Sequence, residues 1–106
     1  MIPATSPLER KPITERFEAL VERWRAETAL LSSTTAMTNH PAYRSIIALG
    51  SDAIPLLLRE LEREGAHWFE ALEAITGENP VPREHWGNIP SMRGDWLAWG
   101  RDRRLI

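Results

Sequence analysis

The chain contains no cysteine. That excludes a disulfide framework, thiolate catalysis and thiolate zinc sites, and it fits a reducing compartment. No apolar run approaches the roughly 20 residues that a bilayer-spanning helix needs. The opening MIPATSPLERKP lacks the apolar core behind positive charge that marks a signal peptide. The expectation is a soluble, cytoplasmic protein that does not enter a membrane. A basic surplus is missing too. The formal net charge is −2, whereas a duplex-binding domain usually carries a positive stripe. No segment alternates apolar and polar residues for long enough to make a strand.

Patterns for chemistry are equally sparse. The three histidines, His40, His67 and His85, stand in unrelated contexts. None is spaced three or four residues from another, as two ligands on one helix face would be. His67 and Glu70 share a face, but each alone is ordinary. No glycine-flanked serine resembles a nucleophile elbow. The hydroxyl run Ser32–Thr35 reads as a helix end followed by an N-cap. Glu60, Glu62 and Glu64 read as the solvated side of an amphipathic helix, partly paired with Arg59 and Arg63. No metal and no cofactor is expected.

What is present is helical periodicity. At 106 residues the chain is one domain with a modest core, burying ~60–70% of its unfolded surface. Residues 1–12 read as a flexible arm, with a capping-box pattern at Ser6-Pro7-Leu8-Glu9. Residues 13–106 read as a single α-helical domain. From Thr14, an expected N-cap, Phe17, Leu20, Val21, Trp24, Thr28 and Leu31 recur at intervals of three and four, which predicts a helix to about Ser32. Breakers follow, with room for a turn around Ala36–Thr38. His40 or Asn39 can cap a helix that Pro41 begins. Gly50 looks like its stop, Ser51 like the next N-cap, and Ile54, Leu57, Leu58 and Leu61 like the next apolar stripe. A further helix ends at Gly77. The connections are short, which predicts antiparallel neighbours.

The chain also repeats itself. In IIALGSDAIP and EAITGENPVP, Gly50 aligns with Gly77, Ile54 with Val81 and Pro55 with Pro82. Each copy is a helix stop followed by a proline-started element. Over about Pro41–Pro82 this resembles a HEAT-type helical repeat, with ALGSDAIPLLLREL as the join between units and HWFEALEAITG as the helix packed behind it. The spacing is shorter than the family's, and the periodicity fails after Pro82. The resemblance implies a scaffold for macromolecular contact rather than catalysis. As a whole, the chain resembles small bacterial proteins. The predicted fold is all-α, a compact bundle of four to five helices with a HEAT-like antiparallel pair.

The stretch GENPVPREHWGNIPSMRGDWLAWG holds three of the five tryptophans, four of the six glycines and three of the eight prolines. A helical repeat needs its open ends covered. Ser91 as N-cap, Met92, Trp96 and Trp99 on one face, and Gly100 as stop would make such a cover. Trp86 has no helical partner in the sequence. It is as suited to an exposed contact as to a core plug.

These readings favour a non-catalytic protein–protein interaction module. It would be an antitoxin-like or regulatory partner of a neighbouring bacterial protein, or a self-associating chain. The expected partner-binding residues are Arg83, His85, Trp86, Arg93, Arg101, Arg103 and Arg104, with the N-terminal arm as an added clamp. A nucleic-acid-binding accessory protein using the same basic, Trp-rich end ranks second. A small enzyme built on His85, Glu84 and Asp95 ranks third; it requires those groups within hydrogen-bond reach in a concave pocket.

Overall fold

A computed structural model describes residues 12–64 and 67–106. The arm as far as residue 11, its capping-box pattern and Gly65 lie outside the described residues. The rest is all-α. Six helices run in order: α1 (Ile13–Thr28), α2 (Thr34–Thr38), α3 (Pro41–Ala48), α4 (Ile54–Glu64), α5 (Phe69–Thr76) and α6 (Ile89–Asp102). Two 3₁₀ turns, Gly50–Ala53 and Arg83–His85, precede α4 and α6. The short α2 accounts for the helix beyond the four or five expected.

α1 packs on α3, α3 on α5, and α4 on α6. One half of the core is aromatic. Trp24 sits 5.0 Å from Trp68 and 5.6 Å from Tyr43, centroid to centroid, and Phe17 lies 6.4 Å from Trp68. Leu57, Leu58, Leu61 and Leu72 are fully buried and join this cluster to α6. Trp96 and Trp99 meet edge to face at 5.2 Å and are both buried. The final indoles therefore turn inward and close the core, as a cover would.

Side-chain caps explain where three of the six described helices begin. Ser33 accepts from the Ala36 N–H to start α2. His40 starts α3: its Nδ1 accepts from the Ala42 N–H at 3.0 Å, with Pro41 next in line. An accepting Nδ1 leaves the ring proton on Nε2, which donates to Glu27 at 2.9 Å and ties α3 to α1. Arg23 bonds the same carboxylate, and that bond, with His40 adding to it, holds Glu27 below the ordinary carboxylate value.

The internal repeat has a physical counterpart. Gly50 and Gly77 both adopt left-handed backbone, at φ 78° and 70°, where a side chain would be strained. Ile54 and Val81 are both buried. Pro55 lies in the first turn of α4, and Pro82 begins the Arg83–His85 turn.

Several expectations change. α1 begins one residue before Thr14, directly after Pro12, and has no side-chain cap. It ends at Thr28, where the Thr28 hydroxyl bonds the Trp24 carbonyl at 2.6 Å and the chain turns. Leu31, expected on the buried face, is therefore 41% exposed, and Leu30 is 99% exposed. Ser51 lies inside a 3₁₀ turn rather than capping α4. Asn88, not Ser91, caps α6; its side chain accepts from the Ser91 N–H at 3.1 Å. Gly100 does not stop α6, which continues to Asp102. A Cβ on Gly100 would fall 2.5 Å from Leu58 Cδ1, so glycine here lets α6 approach α4. Glu60 is not on the solvated side. It is only 9% exposed, held between Arg25 at 2.9 Å and Arg63 at 3.1 Å.

Candidate functional site

The segment between α5 and α6 is ordered by its own hydrogen bonds. Gly77 reverses the chain, and the Thr76 hydroxyl accepts from the Glu78 N–H at 3.0 Å. The Asn79 side chain accepts from the Val81 N–H at 3.0 Å, a turn that places Val81 in the core. The 3₁₀ turn follows, closed by His85 N–H to the Pro82 carbonyl and Trp86 N–H to the Arg83 carbonyl. Gly87 turns the chain once more, at φ 86°, into the Asn88 cap.

This segment runs back along α6. Glu78 lies beside Trp99 and Arg103, accepting from the indole at 3.4 Å and from the guanidinium at 3.1 Å. His85 lies beside Asp95, with Nδ1 2.7 Å from the carboxylate. Facing a carboxylate, Nδ1 carries the proton. The pair fastens the 3₁₀ turn to the helix.

Trp86 projects from this fastened turn and is 58% exposed. Its indole N–H donates to the Val81 carbonyl at 3.3 Å. The Arg83 guanidinium lies 5.4 Å from its ring centroid, within cation–π range. An exposed aromatic is thus held in one orientation, with a cation on it. Arg83, His85 and Trp86 come together as a single surface.

The other expected residues do not join them. Arg101, Arg103 and Arg104 lie beyond Trp99, and Asp95 to Arg103 is about 12 Å along a helix. Arg101 faces Glu62 at 3.8 Å. Arg103 pairs with Glu78 and lies 4.4 Å over Trp99, where it covers the indole. Arg104 adopts left-handed backbone, at φ 57°, and the Leu105 N–H returns to the Gly100 carbonyl at 2.9 Å. Leu105 and Ile106 then pack on the core. The basic tail is a helix ending, with two of its three charges facing carboxylates. Arg93 is half-buried, and its Nε has no hydrogen-bond partner among the described residues.

No protein family, curated protein or solved structure matches this chain. Function must therefore be read from its own surfaces.

Of His85, Glu84 and Asp95, the structure brings two together. His85 and Asp95 are within hydrogen-bond reach, in the arrangement that orients a catalytic imidazole. No hydroxyl bonds the other ring nitrogen among the described residues, and Glu84 is exposed. Four concavities among the described residues are lined by other side chains. Among the described residues no three histidines and carboxylates gather as metal ligands. No described helix is long and apolar enough to cross a membrane.

Sequence reasoning missed a second feature. A groove of about 400 Å³ is lined by Thr34 and Thr38 of α2, His67, Phe69, Glu70 and Glu73 at and in α5, and Ile89 and Met92 of α6. The shared face of His67 and Glu70 was its one visible trace in the sequence.

Proposed function

We propose that this chain is a non-catalytic protein–protein interaction module whose contact surface centres on Trp86. The observation that carries the reading is an indole 58% exposed yet held by Val81 and Arg83. Tryptophan and arginine dominate binding hot spots because they present large area with a polar handle. Holding them in place beforehand lowers the ordering cost of association. Arg83 beside Trp86 supplies both residue types in one patch.

The pairing of Arg101 with Glu62 and Arg103 with Glu78 favours a protein partner over a nucleic acid. Phosphates would have to displace carboxylates at both positions. The net charge of −2 adds general repulsion. An antitoxin-like or regulatory role toward the product of a neighbouring gene fits this surface, as does self-association.

The test is co-expression of the tagged chain with that neighbouring protein, together with sedimentation of the chain alone over a range of concentrations. Retention of the neighbour, or a concentration-dependent dimer, supports the module, provided Trp86→Ala abolishes it. A persistent monomer that retains nothing contradicts it.

A further inference from the structure

The groove between α2, α5 and the start of α6 is built differently from the Trp86 surface, and Trp86 does not line it. Its floor is apolar: Phe69 is buried, and Ile89 and Met92 are half-buried and packed on the core. One rim carries Glu70 and Glu73, both exposed and three residues apart on α5. Residues at that spacing are neighbours on one helix face. Neither carboxylate has an ion-pair partner among the described residues. The opposite rim is neutral. It is formed by Thr34 and Thr38, and the Thr38 hydroxyl is already bonded to the Thr34 and Thr35 carbonyls.

The other acidic groove offers a contrast. Between α1 and α4, Glu18, Glu22 and Glu60 share their walls with Arg25 and Arg63, so cations are already supplied. At the α2–α5–α6 groove no described lysine or arginine lines the walls, and His67 is the one basic side chain there. Its volume falls within the range of sites that hold ligands. The α5 rim is also fixed in place. Tyr43 donates its hydroxyl proton to the His67 carbonyl and accepts from the Ala71 N–H, pinning the start of α5 to α3.

We infer that this groove docks a basic amphipathic helical segment of a partner protein. Apolar side chains of the segment lie on Phe69, Ile89 and Met92, and lysines or arginines one turn apart pair with Glu70 and Glu73. Apolar anchors at helical spacing set in a groove are an established recognition mode. The unneutralised carboxylates select a cationic segment over an anionic one.

The probes are two synthetic peptides of about 14 residues, long enough for helical turns. One has leucine and lysine at amphipathic spacing; its twin carries glutamate in place of lysine. Binding is followed by titration calorimetry and by amide shifts in NMR spectra of the full chain. The lysine peptide binds and the glutamate peptide does not. Amides of residues 34–38, 67–73 and 89–92 move. E70Q/E73Q weakens binding by about tenfold or more, whereas E18Q/E22Q, which removes the same charge from α1, leaves it unchanged. Trp86→Ala also leaves it unchanged, which separates this inference from the Trp86 reading. Equal affinity for both peptides, equal loss in E18Q/E22Q, or shifts clustered around Trp86 overturns the inference. So does a dimer of the chain that buries the groove residues, because a second copy would then be the occupant.

Discussion

Tyr43 lies flat against Trp68. Their rings are 2° from parallel with centroids 5.6 Å apart. The Tyr43 hydroxyl reaches past that indole to the His67 carbonyl and the Ala71 N–H. One side chain on α3 therefore sets both the depth and the direction of α5. It joins the aromatic core to the groove rim that α5 carries.

Tyr43→Phe keeps the ring stack and removes both hydrogen bonds. Leaving the buried Ala71 N–H and the partly buried His67 carbonyl without this partner costs about 1–3 kcal/mol. Denaturant unfolding of the variant should show that loss with little change in helical circular dichroism.

Tyr43 also predicts an alkaline limit. Burial pushes its phenol well above the ordinary value of 10.0. The folded state then holds the proton more tightly than the unfolded state does. Tyr43's contribution is complete below the unfolded value and declines as pH rises above it toward the folded value. Melting temperatures of the wild type should fall above about pH 10, the tyrosine reference value. The fall should be shallower in Tyr43→Phe.

Trp96→Ala and Trp99→Ala each remove a buried indole from the cover over α4. The expected cost is about 3–5 kcal/mol apiece. The two rings touch, so the double variant should lose less than the sum of the singles. The Trp96 N–H is buried without a hydrogen-bond partner among the described residues. Trp96→Phe deletes that unpaired donor while leaving a smaller void, so it should cost much less than Trp96→Ala in the same unfolding assay.

Gly100→Ala sets a helix-propensity gain of about 1 kcal/mol against an overpacking cost of about 1–3 kcal/mol. The new methyl would meet Leu58 Cδ1 at 2.5 Å, and Leu58 is wholly buried. Crowding should win, and the variant should melt lower than the wild type. Combined with Leu58→Ala, the same substitution should become neutral or stabilising, because the void accepts the methyl.

The legible parts of the fold were those decided locally. A glycine stop followed by a proline start can be read at Gly50 and Pro55 and again at Gly77 and Pro82, because backbone freedom and ring closure belong to the residues themselves. The His40 cap was legible for the same reason. Gly100 was misread because its reason is Leu58, forty-two residues away on another helix. Glu60 was misread because its partner Arg25 lies on α1. Leu31 was misread because α1 ends at a hydroxyl-to-carbonyl bond from Thr28, which periodicity does not register. Of the candidate site, Arg83, His85 and Trp86 are adjacent in the chain and stayed together. The groove joins residues 34, 67, 73 and 92, so the sequence showed only the shared face of His67 and Glu70.

Trp86 decides the account. Thermal melting and partner retention should be measured side by side for Trp86→Ala and Trp99→Ala. Trp86→Ala should change stability by less than about 1 kcal/mol, as an exposed position does, and should lose the partner or the dimer. Trp99→Ala should lower the melting temperature by more than about 10 °C. A Trp86→Ala chain that unfolds like Trp99→Ala, or that stays folded and still holds its partner, would contradict the proposed surface.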